Sequence, residues 1–167
     1  LTTSIYPPRY DPGDELGDQL TFALKYEGVN LEVLSALFGV IDSEDLVQFI
    51  KTRPTGRYTR LTWFFYEWLT GQELPLDNLK TGNYISALDS EKYYVVEEPL
   101  AEKVRRQRVL CNLPGTADYC PLVRKTERLH MFDSMKLDER ARSMLSEYSE
   151  ELLYRATQYL FAKETKS

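Results

Sequence analysis

Histidine, cysteine and closely spaced carboxylates are the side chains with which a chain of this size could do acid–base, nucleophilic or metal chemistry, and here they are few. The single histidine, His130, continues as Met131-Phe132-Asp133. Histidine is the commonest general base and metal ligand. With no serine or cysteine motif beside it, a packed or surface histidine is expected and not a catalytic one. Cys111 and Cys120 lie nine positions apart, and no Cys-x-x-Cys pair occurs. Together with His130 they lack the fourth ligand of a structural zinc, so no metal ligand is assigned and a reduced pair is expected. Glu97-Glu98 and Glu150-Glu151 are adjacent acids; on a helix such neighbours point to different faces, so the second pair reads as solvated surface. There is no P-loop, no G-x-G-x-x-G and no G-x-S-x-G. The catalytic assignment is therefore none.

Charge is the more informative pattern. The segment 103–128 holds seven basic residues: Lys103, Arg105, Arg106, Arg108, Arg124, Lys125 and Arg128. Counting Glu102 at its edge, it has three acids, for a net +4, whereas the rest of the chain carries 14 basic and 23 acidic residues, a net −9. Arginine forks suit phosphate and carboxylate. Arg105, Arg106, Arg108 and Arg124 are the candidate binding residues. Either they form a contact surface for nucleotide, nucleic acid or an acidic neighbour, or they pair internally with the acidic helices. Three arginines within four positions cannot share one face, whether helix or strand. At least one of Arg105, Arg106 and Arg108 should stay free while its neighbours pair.

The elements that must carry these residues are read from periodicity. Residues 1–13 form an extended lead-in, with Pro7-Pro8 and the turn Asp11-Pro12-Gly13. Leu16, Leu20, Ala23 and Leu24 then recur at helical spacing up to Gly28. Asn30 caps a second helix with Leu31, Leu34, Leu37 and Phe38 on one face. Ser43, preceded by Asp42, caps a third that stops near Arg53, before Pro54. Residues 57–71 are the most aromatic stretch: Tyr58, Leu61, Phe65, Trp68 and Leu69 mark one face, with Trp63, Phe64 and Tyr66 on others. A helix apolar on most sides sits centrally, closed here by Gly71. Residues 77–114 lose the 3.6 period and read as short β or irregular pieces; 101–108 fits a short helix or a strand equally. From Lys136 one apolar stripe runs through Leu137, Ala141, Met144, Leu145, Tyr148, Leu152, Ala156, Tyr159 and Leu160, for about seven turns of a single helix.

Composition sets the outer limits. The chain has 167 residues, 43% hydrophobic and 28% charged, which is ordinary for a globular domain able to bury its own core. No apolar run approaches the ~18 residues of a membrane span, so no membrane partner is expected. A net charge of −5 argues against a dedicated nucleic-acid module. The 13% aromatic content reads as core before it reads as a stacking platform. The expected fold is mainly α: a helical bundle with a small β or irregular insertion around residues 83–113, in a single helical domain over 1–167.

Particular words of the sequence resemble a known family. Arg57-Tyr58-Thr59-Arg60 followed by Trp63-Phe64-Phe65-Tyr66-Glu67-Trp68-Leu69-Thr70-Gly71 is similar to the N-terminal region of bacterial Fic (filamentation induced by cAMP) proteins. So are Arg106-Gln107-Arg108-Val109 leading to Asn112-Leu113-Pro114-Gly115-Thr116, and Cys120-Pro121-Leu122-Val123-Arg124. Arg9-Tyr10-Asp11-Pro12-Gly13-Asp14 and Leu24-Lys25-Tyr26-Glu27-Gly28-Val29-Asn30 extend the likeness over most of residues 9–125. Fic proteins transfer AMP from ATP to a target hydroxyl (AMPylation) through an H-P-F-x-D/E-G-N-G-R loop. That loop is absent here, and the family's inhibitory S/T-x-x-x-E-G/N motif is approached at Glu27-Gly28 with Ala23 in the Ser/Thr place.

The resemblance implies a non-catalytic N-terminal accessory domain of a Fic-type AMP-transferase, acting in regulation, docking or target recognition. The chain, opening Leu1-Thr2-Thr3, would then be a fragment upstream of a Fic catalytic domain. That domain or the target protein would be its partner through protein–protein contact, in a bacterial cytoplasm. No cofactor is expected in this chain, and ATP and Mg are implied for the downstream domain. The alternative is a free-standing nucleic-acid or nucleotide binding module using the Arg-rich 103–128 segment, since interleaved arginines and aromatics suit single strands.

Overall fold

A computed structural model describes residues 5–164. The fold is mainly helical with one small three-stranded sheet. The chain divides into two compact units, one ending at Arg124 and the other beginning at Lys125. Of the lead-in, residues 1–4 lie outside the described residues; the remainder is irregular apart from a 3-10 turn over Pro8–Tyr10.

In the first unit, α1 (Leu16–Phe22) runs into a π-helical turn over Ala23–Glu27, where the Gly28 N–H reaches back to the Ala23 carbonyl at 2.9 Å. Gly28 ends the segment at φ 90°, a conformation open to glycine. Gly17 is a glycine for a different reason: a Cβ there would overlap the ring of Phe49 on the third helix, so α1 can lie close to it. In α2 (Leu31–Phe38) the Asn30 side chain accepts from the Val33 N–H at 3.1 Å, as the cap reading expects. Helix α3 (Ser43–Thr52) corrects a detail. Asp42, with extended backbone, is the cap and accepts from the Glu44 N–H at 2.9 Å, while Ser43 is already helical. The helix stops at Thr52, with Arg53 driven out of helical geometry before Pro54.

The centre of this unit is α4 (Arg57–Thr70), in which every residue from Thr59 to Tyr66 is buried. Leu20 and Leu24, then Leu34 and Phe38, then Leu46, Val47 and Ile50 bring the apolar faces of the preceding helices into the same core as Trp63, Phe64 and Phe65. Gly71 closes α4 in the left-handed region at φ 68°. Phe65 is fully buried, whereas Trp68 is half-buried against the core's edge.

The sheet follows: β1 (Ile85–Ser86), β2 (Glu102–Val104) and β3 (Val109–Cys111), in the order β1-β3-β2. β2 and β3 form an antiparallel hairpin with Val104 opposite Val109, and β1 pairs parallel to β3 with Ile85 opposite Val109. Residues 101–108, undecided by period, are thus a strand and the hairpin loop. Buried Asn112, just past β3, ties down the segment after β1: its Oδ1 accepts from the Leu88 N–H at 2.8 Å and its Nδ2 donates to the Leu88 carbonyl at 2.9 Å.

The second unit holds α5 (Glu127–Ser134), α6 (Leu137–Leu145) and α7 (Glu150–Glu164). The single seven-turn helix expected from Lys136 is two helices, separated over residues 146–149. Serines there divert backbone bonding: the Ser146 hydroxyl donates to the Ser143 carbonyl, and the Ser149 hydroxyl accepts from the Leu152 N–H at 3.3 Å. Helix α5 was not expected; Thr126 caps it by accepting from the Leu129 N–H at 3.3 Å. None of these three helices contains a buried residue among those described.

Candidate interaction site

The loop of the β2–β3 hairpin is 105–108, so the fold presents Arg105, Arg106 and Arg108 at one turn. The Arg108 N–H closes it on the Arg105 carbonyl at 3.3 Å, and Arg108 takes φ 51°. This four-residue loop points successive side chains in different directions, and the three arginines have three different environments.

Arg106 turns inward onto α4. Its Nε donates to both Glu67 carboxylate oxygens, at 2.9 and 3.0 Å, with the two side chains only 19% and 12% exposed. Nη1 donates to Asn78 Oδ1 at 3.0 Å, Nη2 donates to the Leu74 carbonyl, and the guanidinium lies 5.2 Å from the centre of the Trp63 ring. Glu67 is the hub of the arrangement: it also accepts from Trp63 Nε1 at 2.7 Å, from the Leu74 N–H at 2.9 Å, and from Gln107 Nε2. A carboxylate so surrounded by donors is fixed in place. Arg106 is thereby committed to holding α4, the 74–78 segment and the hairpin together.

Arg108 is half-buried and bonds only to backbone, donating to the Gly82 and Lys80 carbonyls, with its guanidinium 5.2 Å from the Tyr84 ring centre. Lys103 Nζ lies 6.0 Å from the same ring. Arg105 is exposed and forms no ion pair among the described residues. Arg124 is not part of this group: its Nη2 donates to the Glu27 carbonyl at 2.8 Å and its guanidinium sits 5.7 Å from the Tyr93 ring, beside Gly28.

A residue that motif reading passed over joins the hairpin to the helix core. Arg60, 4% exposed, donates from Nε to the Gln107 carbonyl at 2.8 Å and from Nη2 to the Asn83 carbonyl at 2.9 Å and to the Arg108 carbonyl. Burial pulls its guanidinium below the ordinary value, and the charges of Arg108 and Arg57 act in the same direction. The available signal was a charged residue set between Thr59 and Leu61 in the most apolar stretch of the chain. Such a residue must find partners inside.

His130, Cys111 and Cys120 lie outside the hairpin loop. His130 is exposed on α5. Cys111 and Cys120 are free and half-buried, and burial pushes both thiols up. Among the described residues no cluster of His, Cys, Asp or Glu could hold a metal ion. No described helix is long and apolar enough to cross a membrane. No family model, curated protein or solved structure matches the chain.

Proposed function

We propose that the chain is a non-catalytic N-terminal accessory region of a bacterial, cytoplasmic Fic-type protein AMP-transferase. It docks on a Fic catalytic domain or on the target protein and leaves the AMP transfer, with its ATP and Mg, to that catalytic domain. The family part of this reading rests on the sequence resemblance over residues 9–125. The docking part is carried by one observation: among the described residues the helices from Glu127 onward contain no buried residue, and Met144 (70% exposed), Tyr159 (68%), Leu152 and Leu160 stand in solvent. Contiguous exposed apolar side chains on amphipathic helices mark contact surfaces. The helical-bundle description belongs to the same reading, as the first unit packs its helices around α4.

The test has two steps. The coding sequence is read beyond Ser167 for an H-P-F-x-D/E-G-N-G-R segment. The domain bearing it is then titrated with the chain, wild type and Leu152→Asp/Leu160→Asp, in the analytical ultracentrifuge. Association of the wild type that the double substitution abolishes supports docking. A reading frame without that segment sinks the family assignment.

A further inference from the structure

Several cations gather beside the loop 80–84. Arg60 and Arg108 meet there, their side chains held among the described residues by backbone carbonyls, and the Tyr84 ring centre lies 5.2 Å from the Arg108 guanidinium and 6.0 Å from Lys103 Nζ. Lys80 and Arg105 are exposed at the margins of the same loop and hairpin. Among the described residues none of these five cations forms an ion pair. Like charges gathered at a partly dry surface repel one another, and a counter-anion relieves that cost.

The geometry also leaves a donor to receive one. Arg60 spends Nε and Nη2 on carbonyls, while Nη1 makes no hydrogen bond among the described residues. Gly82 lies beside it: a Cβ at that position would stand 4.0 Å from Nη1, at ordinary van der Waals distance. A flat carboxylate favours two parallel bonds from one guanidinium fork. Here single donors come from separate chain segments, an arrangement suited to a tetrahedral group with about two negative charges and several acceptor oxygens.

We propose that Arg60, Lys80, Lys103 and Arg108, grouped around Gly82 and Tyr84, form a binding site for a phosphate group. The site is independent of the Fic reading and stands or falls without it.

The test is calorimetric titration of the whole chain with sodium pyrophosphate at about physiological ionic strength. Saturable binding is expected, weakened about tenfold or more by Lys80→Glu/Lys103→Glu, two exposed positions whose change leaves the melting temperature in place. Arg128→Glu/Arg140→Glu, exposed cations of the other unit, should bind pyrophosphate like the wild type. The proposal is overturned by no binding at millimolar pyrophosphate, by equal losses in both double variants, or by citrate binding as tightly as pyrophosphate. It is overturned too if a single-stranded oligonucleotide binds while pyrophosphate does not, since the surface would then be an extended polyanion track.

Discussion

Glu67 and Arg106, thirty-nine positions apart, meet through Nε–carboxylate bonds of 2.9 and 3.0 Å inside a cage of Trp63, Leu74 and Asn78. The pair joins the last turns of α4 to the hairpin loop with little water around it. Removing one partner of such a pair strands the other charge, which typically costs ~3–5 kcal/mol when burial is complete. With these exposures the lower end applies. Glu67→Ala and Arg106→Ala should each destabilise the chain by about 3 kcal/mol in urea unfolding, and the double variant by much less than the sum. Additive losses would show that the two side chains do not act on each other.

Burial separates the two aromatic residues three positions apart on α4. Phe65→Ala removes a fully buried ring and should cost ~3–5 kcal/mol. Trp68→Ala, at the half-buried edge, should cost clearly less despite the larger side chain. Equal losses in denaturant titrations would contradict the packing described.

Asn112 satisfies both backbone groups of Leu88 from a buried position. Asn112→Leu keeps the size but leaves an N–H and a carbonyl without partners, at about 1–3 kcal/mol each. Amide exchange at Leu88 should accelerate in that variant more than exchange in α3. A variant with unchanged exchange at Leu88 would remove the residue's assigned role.

Cys111 and Cys120 supply a pH dependence whose sign is fixed. Burial raises both thiols from their ordinary value of 9.0, so the folded chain holds protons that the unfolded chain releases. The stability they contribute is complete below the unfolded value and is lost as pH rises from about 9 through the folded values. Unfolding free energy should therefore fall over that interval, and less so in Cys111→Ala/Cys120→Ala. At pH 8 iodoacetamide should label the folded thiols more slowly than free cysteine.

The isolated chain should transfer no AMP. His130 is exposed on α5 and is followed by Met131-Phe132-Asp133, without an anion-holding glycine loop. Labelled ATP incubated with the chain should leave protein unlabelled; labelling lost on His130→Ala would make that histidine catalytic.

Local rules were legible where one residue decides the backbone. Asn30, Gly28, Gly71 and Pro54 punctuate the helices as their chemistry requires, and the loss of period after residue 77 marks the strands and loops. Less legible were choices between neighbours and signals that mimic continuity. Asp42 takes the cap ahead of Ser43 because its backbone is already extended. The apolar spacing from Leu137 to Leu160 survives the break over residues 146–149, since four residues advance a helix by about one turn and keep the stripe in phase. Apart from Trp63, four positions before Glu67, the partners of Arg60 and Glu67 come from residues 74–108, and spacing on one helix carries no information about contacts that distant. For the same reason the arginine-rich segment could be recognised but not divided into the inward Arg106, the backbone-bound Arg108 and the exposed Arg105.

The end of the π-helical turn is held from far along the chain. The Tyr93 hydroxyl accepts from the Val29 N–H across 64 positions, and Arg124 donates to the Glu27 carbonyl across 97. These attachments give the first unit an order of assembly during synthesis. At roughly 5–20 residues per second, the ribosome delivers α1 to α4 seconds before Arg124 exists. The early helices can collapse around Trp63 and Phe65 through nearer contacts, but the seam at residues 27–29 waits for Tyr93 and then Arg124 to close long loops. A chain released short of Arg124 would carry the helical core with that seam held by Tyr93 alone.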